Sequence, residues 1–127
     1  MRSILIGIVL AGLTIALVAP FKTSQGFAFL SLLLAFIAAI YLGFAFADGS
    51  YKAIISESFV AGVFLLVAAF ASLTSPLVLA GGYIVHGFWD LLHHPKAIET
   101  KVARWYPPFC AVYDWAIAFY ILVAWWR

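Results

Sequence analysis

The chain has 127 residues, of which 67% are hydrophobic and 9% are charged, and its net charge is +2 at pH 7. Soluble domains contain about 45–50% apolar and about 25% charged residues, so these proportions exclude a water-soluble fold and make lipid the solvent of most of the surface. The small net charge gives no ground for a nucleic-acid partner. The single cysteine, Cys110, excludes a disulfide within the chain.

Five apolar segments predict an all-α, polytopic integral membrane bundle that forms one domain, 1–127. A helix needs about 20 mostly apolar residues to cross a bilayer, and its backbone polar groups must be satisfied within the helix. The predicted helices cover approximately 4–19, 27–47, 54–73, 76–94 and 108–126. Pro76 suits the start of the fourth helix and Pro95 its end.

The first apolar run could also pass for a signal peptide. It lacks a good small-x-small cleavage site, and Pro20 follows the best candidate, so we expect a retained first membrane helix. An arrangement with four spans, in which this first segment lies on the membrane surface, remains an alternative.

The basic residues predict the orientation of the bundle. With five crossings, five basic residues fall on one side of the membrane and two on the other. Because Lys and Arg are enriched on the cytoplasmic side, we expect the N-terminus and the 95–107 loop in the cytoplasm, with the protein in a bacterial inner membrane. The cytoplasmic set is Arg2, Lys52, Lys96, Lys101 and Arg104, and the opposite set is Lys22 and Arg127.

The fourth helix carries every histidine of the chain, in the stretch GYIVHGFWDLLHHP at 82–95. At about 100° per residue, His86, Asp90, His93 and His94 fall within an arc of roughly 100°, where residues three and four apart face each other. His86 lies about 12 Å deeper than His94 by helical rise. These side chains therefore form a stripe from the interface into the membrane.

The fifth helix, in PPFCAVYDWAIAFY, places Cys110, Tyr113 and Asp114 on one face. Asp114 enters from the same side as the histidines and reaches about the depth of His86, near 12 Å. Glu57 on the third helix lies just inside the same leaflet. We therefore expect carboxylates of two helices to converge on the histidine stripe, where Asp114, Glu57 or Cys110 could complete a metal shell. Taken alone, Cys110 is more often a small buried core residue.

Imidazole and carboxylate together are the ligands of zinc and non-haem iron. Ionisable groups inside a membrane persist where they pair, bind a ligand or line a wet cavity. The predicted metal ligands are His86, Asp90, His93 and His94. The predicted catalytic residues are Asp114 or Glu57, as general base, and Tyr113, although packing with a hydroxyl hydrogen bond is the commoner role of such a tyrosine. The alternative is that the same groups are hydrogen-bonded polar contacts between helices.

The run HGFWDLLHHP, followed by RWYPPFCAVYDW, resembles DUF6010, a family of small integral membrane proteins. The resemblance covers the last two helices and the loop between them. It implies a helical membrane fold of this size and carries no established activity.

The spacing His-x3-Asp-x2-His-His is also loosely similar to the histidine boxes of membrane di-iron hydroxylases and desaturases. Those enzymes spread many more histidines over several boxes than the three of this chain. Membrane zinc hydrolases of the alkaline ceramidase type place their histidines on separate helices, whereas one helix carries all three here. Both similarities are therefore partial.

Three functions follow from these patterns as hypotheses. The first is a metal-dependent hydrolase or oxidoreductase in which zinc or iron acts on a lipid or another lipophilic substrate. The second is a non-catalytic small subunit of a larger membrane complex, or a homo-oligomer, that binds haem, a pigment or a quinone. The third is transport of protons or metal ions, although the polar groups are confined to one leaflet and no path across the membrane is evident.

Overall fold

The computed structural model describes residues 1–94, 97, 98 and 100–126, and within them the chain forms five α-helices and no strand. The all-α prediction is confirmed. Four residues that entered the predictions of a helix end, of the loop and of the orientation lie outside the described part of the chain. They are Pro95, Lys96, Glu99 and Arg127. The helices are α1 (Arg2–Val18), α2 (Thr23–Asp48), α3 (Tyr51–Leu73), α4 (Pro76–His93) and α5 (Tyr106–Trp125).

Three of these helices, α2, α3 and α5, are long and apolar enough to cross a membrane. Helix α1 is apolar but has only 17 residues, and α4 has 18 residues that include two of the three histidines. Large apolar side chains such as Leu32, Phe59 and Leu66 are at least 70% exposed. A surface of this kind is solvated by lipid and not by water. The chain is therefore a membrane protein, and the number of five crossings stays a prediction.

Short connections with defined caps make α2, α3 and α4 successive antiparallel neighbours. Helix α2 ends at Gly49, whose φ of 73° is the left-handed conformation that favours glycine. The Ser50 hydroxyl then accepts a hydrogen bond from the Ala53 N–H and caps α3. Between α3 and α4, the Ser75 hydroxyl accepts from the Leu77 N–H at 3.1 Å, with Pro76 at the first helical position.

Helix α4 has the central place in the bundle. It packs on α5 and α3, and α2 also reaches it, while α1 packs on the other side of α5. The close approach of α5 depends on Gly87, because a Cβ there would lie 3.0 Å or less from three atoms of the Trp115 indole. Side chains of α4 are therefore placed to meet groups from three other helices.

The interior is divided between an apolar half and a polar half. Leu34, Leu79, Ile117 and Ile121 are completely buried in the apolar half. The polar half lies where α2 and α4 end and where α3 and α5 begin. Its buried ionisable and polar side chains are Glu57, His86, Asp90, His93, Thr100 and Asp114.

Candidate metal centre

The centre of the polar half is a contact between α4 and α5. His86 and Asp90 lie one turn apart on α4, and both face Asp114 of α5. The Nδ1 atom of His86 is 2.6 Å from Oδ2 of Asp114 and 3.6 Å from Oδ2 of Asp90. All three side chains are 0% exposed. One imidazole therefore lies within reach of two buried carboxylates.

Cys110 completes a group of four potential metal ligands, the four-residue site His86, Asp90, Cys110 and Asp114. It precedes Asp114 by one turn of α5, so both side chains point into the same contact. Each of the four residues offers one ligand atom that lies within 4.8 Å of the other three. The Cys110 thiol is buried and lies 3.9 Å from the Tyr106 hydroxyl, to which it donates a weak hydrogen bond.

Three atoms of the four-residue site lack a hydrogen-bond partner among the described residues. They are Nε2 of His86, Oδ2 of Asp90 and Oδ1 of Asp114. A buried polar atom that is left unpaired costs about 1–3 kcal/mol. Native structures hold few such atoms, and each calls for an explanation such as a bound ion. The unpaired atoms here belong to the same side chains that converge within metal-binding distance.

Tyr41 of α2 orients the carboxylate of Asp90. Its hydroxyl donates a hydrogen bond of 2.5 Å to Oδ1 of Asp90, while Oδ2, which lies 3.6 Å from Nδ1 of His86, has no hydrogen-bond partner among the described residues. The ring of Tyr41 also stacks on the imidazole of His93, with 4.1 Å between the ring centroids. Such outer partners hold metal-binding side chains in position. Tyr41, itself 0% exposed, thus connects the four-residue site to a second polar group.

The second polar group joins α3, α4 and the loop that follows α4. Nε2 of His93 is 2.7 Å from Oε1 of Glu57, and the Thr100 hydroxyl donates to the same oxygen at 2.7 Å. Nδ1 of His93 faces the Trp89 carbonyl at 3.0 Å, so this nitrogen carries a proton and donates it. Nε2 therefore shares a proton with the Glu57 carboxyl group, and each of these polar atoms has a partner.

The structure separates the residues that the sequence assigned to one site. His86, Asp90 and Asp114 lie together, whereas His93 and Glu57 form the second group. His94 is exposed at the end of α4. Tyr113 is 8% exposed, and its hydroxyl is 2.9 Å from the Thr14 hydroxyl of α1.

Three residues of the polar half were missed or undervalued by reasoning from the sequence. Cys110 was named as a residue that could complete a metal shell, but packing was preferred for it, although its spacing to Asp114 repeats the spacing of His86 to Asp90. The sequence did not indicate a role for Tyr41 in the site, because a tyrosine inside an apolar helix usually serves packing. Thr100 lies in a loop whose position relative to α3 cannot be read from the sequence.

Comparisons with known proteins identify one relationship, a match to a protein family. No curated protein and no solved structure matches the chain. The model of a family of unknown function, DUF6010, matches residues 2–125, which include all five helices. The similarity therefore extends well beyond the last two helices, where the sequence pattern first indicated it, and the chain belongs to the DUF6010 family.

Proposed function

We propose that the protein is a membrane-embedded metalloenzyme whose four-residue site binds one divalent transition-metal ion. One observation carries the proposal. Four buried side chains, from two helices, bring ligand atoms within 4.8 Å of one another, and three atoms on those side chains lack partners among the described residues. Ionisable residues inside a membrane mark functional sites by default, which adds weight to this reading.

The donor set favours zinc or iron. Imidazole and thiol are ligands of these metals, whereas magnesium and calcium prefer sites made of oxygen atoms alone. The charges also favour a cation, because the carboxylates of Asp90 and Asp114 offset the two charges of a divalent ion, and Cys110 as a ligand would bind as the thiolate and add a third negative charge. Two buried carboxylates without a cation would repel each other strongly in a medium of low dielectric constant.

The residues around the ion have separate tasks in this proposal. When bound, zinc or iron would supply a Lewis acid and lower the pKa of a coordinated water. Asp114 both orients His86 through Nδ1 and keeps one free oxygen. Tyr41 holds one oxygen of Asp90 and leaves the other free. Glu57 already binds His93 and Thr100, so its task is to anchor the loop to α3 and α4.

The substrate in this proposal is lipophilic, because the site lies inside a bundle whose outer surface is apolar. Zinc would favour hydrolysis of a lipid, and iron would favour its oxidation.

We also propose that the N-terminus and the 95–107 loop face the cytoplasm, on the basis of the distribution of basic residues. Assembly into a homo-oligomer or a larger complex is a separate proposal that the four-residue site does not require.

The strongest competing function is a metal-free one. His86 already lies 2.6 Å from Asp114, so the imidazole and the carboxylates could hold protons and connect α4 to α5. The site would then be a structural or proton-handling network. Binding of haem, a pigment or a quinone through a histidine and ion transport remain further hypotheses. His93 is engaged at both ring nitrogens, so only Nε2 of His86 is open to such a ligand among the buried histidines of the described residues.

Metal analysis of the purified protein tests the proposal. We expect about one zinc or iron ion per chain in the detergent-solubilised protein, with loss of the ion in Asp114→Asn and Asp90→Asn. His94→Gln is the matched control, because it changes an exposed histidine of the same helix and should keep the ion. Exchange of the metal for cobalt adds a test of Cys110, since a thiolate–cobalt absorption band should disappear in Cys110→Ala. A folded protein without metal, before and after addition of zinc or iron, would refute the proposal in favour of the metal-free network.

A further inference from the structure

A groove on the lipid-facing surface runs between α3 and α4. It encloses about 310 Å³, and all of its lining side chains are apolar or aromatic. We call it the α3/α4 groove. Several of its residues, including Phe59, Val85 and Phe88, are more than half exposed, so the groove is open to the acyl chains of the bilayer. The lining residues are Phe59, Val60, Val63, Phe64, Val85, Phe88, Trp89 and Leu92.

One layer of side chains separates the groove from both buried histidines. Phe64, which is 5% exposed, meets the His86 imidazole edge-to-face with 4.7 Å between the ring centroids. Trp89 meets the His93 imidazole in the same manner at 5.2 Å. The inner wall of the groove is therefore the outer wall of the polar half of the bundle.

The groove runs in the direction that a membrane lipid would take. At one end of the contact between α3 and α4, Glu57 binds His93, and seven residues further along α3, Phe64 contacts His86. This spacing corresponds to about 10 Å of helical rise. A hydrocarbon chain in the groove would therefore begin near the polar end of the bundle and extend to the level of His86.

Two other surface grooves of comparable volume provide a comparison. The α2/α3 groove, near 380 Å³, includes Ala69, and the α4/α5 groove, near 390 Å³, includes Trp115. In the described part of the chain, neither is lined by a residue whose ring contacts a histidine. The indole N–H of Trp115 donates to the Ile84 carbonyl, whereas the buried N–H of Trp89 has no acceptor among the described residues.

We propose that the α3/α4 groove is the binding site for the hydrocarbon chain of a membrane lipid that is the substrate of the four-residue site. Phe64 separates the bound chain from His86, and the Trp89 ring separates it from His93. The assignment of the lipid as a substrate rests on the proposed function, whereas selective binding of the chain can be tested independently.

Photocrosslinking locates the bound chain. The full-length protein is reconstituted into vesicles of phosphatidylethanolamine and phosphatidylglycerol that contain a trace of phosphatidylethanolamine with a diazirine on one acyl chain. Crosslinked positions are mapped by mass spectrometry, and metal content is measured on the same samples. Val63→Trp fills the α3/α4 groove, and Ala69→Trp, also on α3, fills the α2/α3 groove as the matched control.

We expect labelling in the α3/α4 groove to exceed that in the other two grooves by about tenfold, which corresponds to a preference of about 1.4 kcal/mol. Val63→Trp should abolish this preference and Ala69→Trp should keep it, with the metal content unchanged in both. Equal labelling of the three grooves, or a preference that survives Val63→Trp, would overturn the inference. Selective labelling of a protein without metal would support the lipid site and reject the metalloenzyme, so the two failures are distinguishable.

Discussion

Replacement of Asp114 by asparagine should separate metal binding from simple contact between helices. Asparagine keeps the shape of the side chain and one acceptor oxygen but removes the negative charge. Asp114 is 0% exposed and lies 2.6 Å from Nδ1 of His86, so the change acts on a short, buried hydrogen bond. The expected result is a folded protein that is less stable and no longer binds zinc or iron.

The size of the stability change follows from burial. Loss of a buried charged acceptor should lower the free energy of unfolding by about 1–3 kcal/mol. Asp114→Ala should cost more, about 3–5 kcal/mol, because it leaves His86 without its closest partner. Asp48→Asn is the matched control: it removes a carboxylate that meets the mostly exposed Lys101 at 3.3 Å, and such surface pairs contribute only about 0–1 kcal/mol.

The assay is reversible unfolding in detergent with and without added zinc. A metal that binds only the folded protein stabilises it by about 2.7 kcal/mol at a hundredfold excess over its dissociation constant. We expect this gain for the wild type and for Asp48→Asn but not for Asp114→Asn. The reasoning is refuted if zinc stabilises Asp114→Asn as much as the wild type, or if it stabilises neither.

Three further predictions concern the groups around the four-residue site. Tyr41→Phe keeps the ring but releases Asp90, so metal affinity, measured by competition with a chelator, should fall about 10- to 100-fold, and unchanged affinity would contradict the orienting role. Glu57→Gln should weaken the attachment of the loop after α4, and faster hydrogen exchange there, with metal content retained, would verify this; unchanged exchange would exclude it. Gly87→Ala should lower the free energy of unfolding by about 1–3 kcal/mol because its Cβ meets an indole ring of α5. Gly81→Ala, where the Cβ meets nothing within 4 Å, is the control and should not destabilise.

The position of the polar half explains how a small membrane protein can hold such a site. Lipid cannot solvate ionisable groups, so they must lie inside the bundle and satisfy one another or an ion. Helix α4 makes this possible because it contacts α5, α3 and α2. His86 and Asp90 face Asp114 on one side, while His93 faces Glu57 on another.

The amino-acid sequence alone determined the class of the fold. Apolar runs long enough for membrane helices, with prolines and small polar residues between them, leave no alternative to helices once lipid is the solvent. The pairing of His86 with Asp90 also followed from the sequence, because residues four apart on a helix share a face. These features depend on local spacing and on the solvent, and both can be read along the chain.

Only the tertiary structure decided how the polar side chains are distributed. His86 and His93 are seven residues apart, about 10 Å along the helix, which is far enough for each to meet a carboxylate from a different helix. The sequence placed Asp114 near the depth of His86 and Glu57 just inside the same leaflet, but it could not say which helices would bring them against α4. The entry of Tyr41 and Thr100, and the place of Cys110 beside the carboxylates, depend on which helices are neighbours and how they are rotated. Such long-range packing is set by the whole bundle and leaves no periodic signal in the sequence.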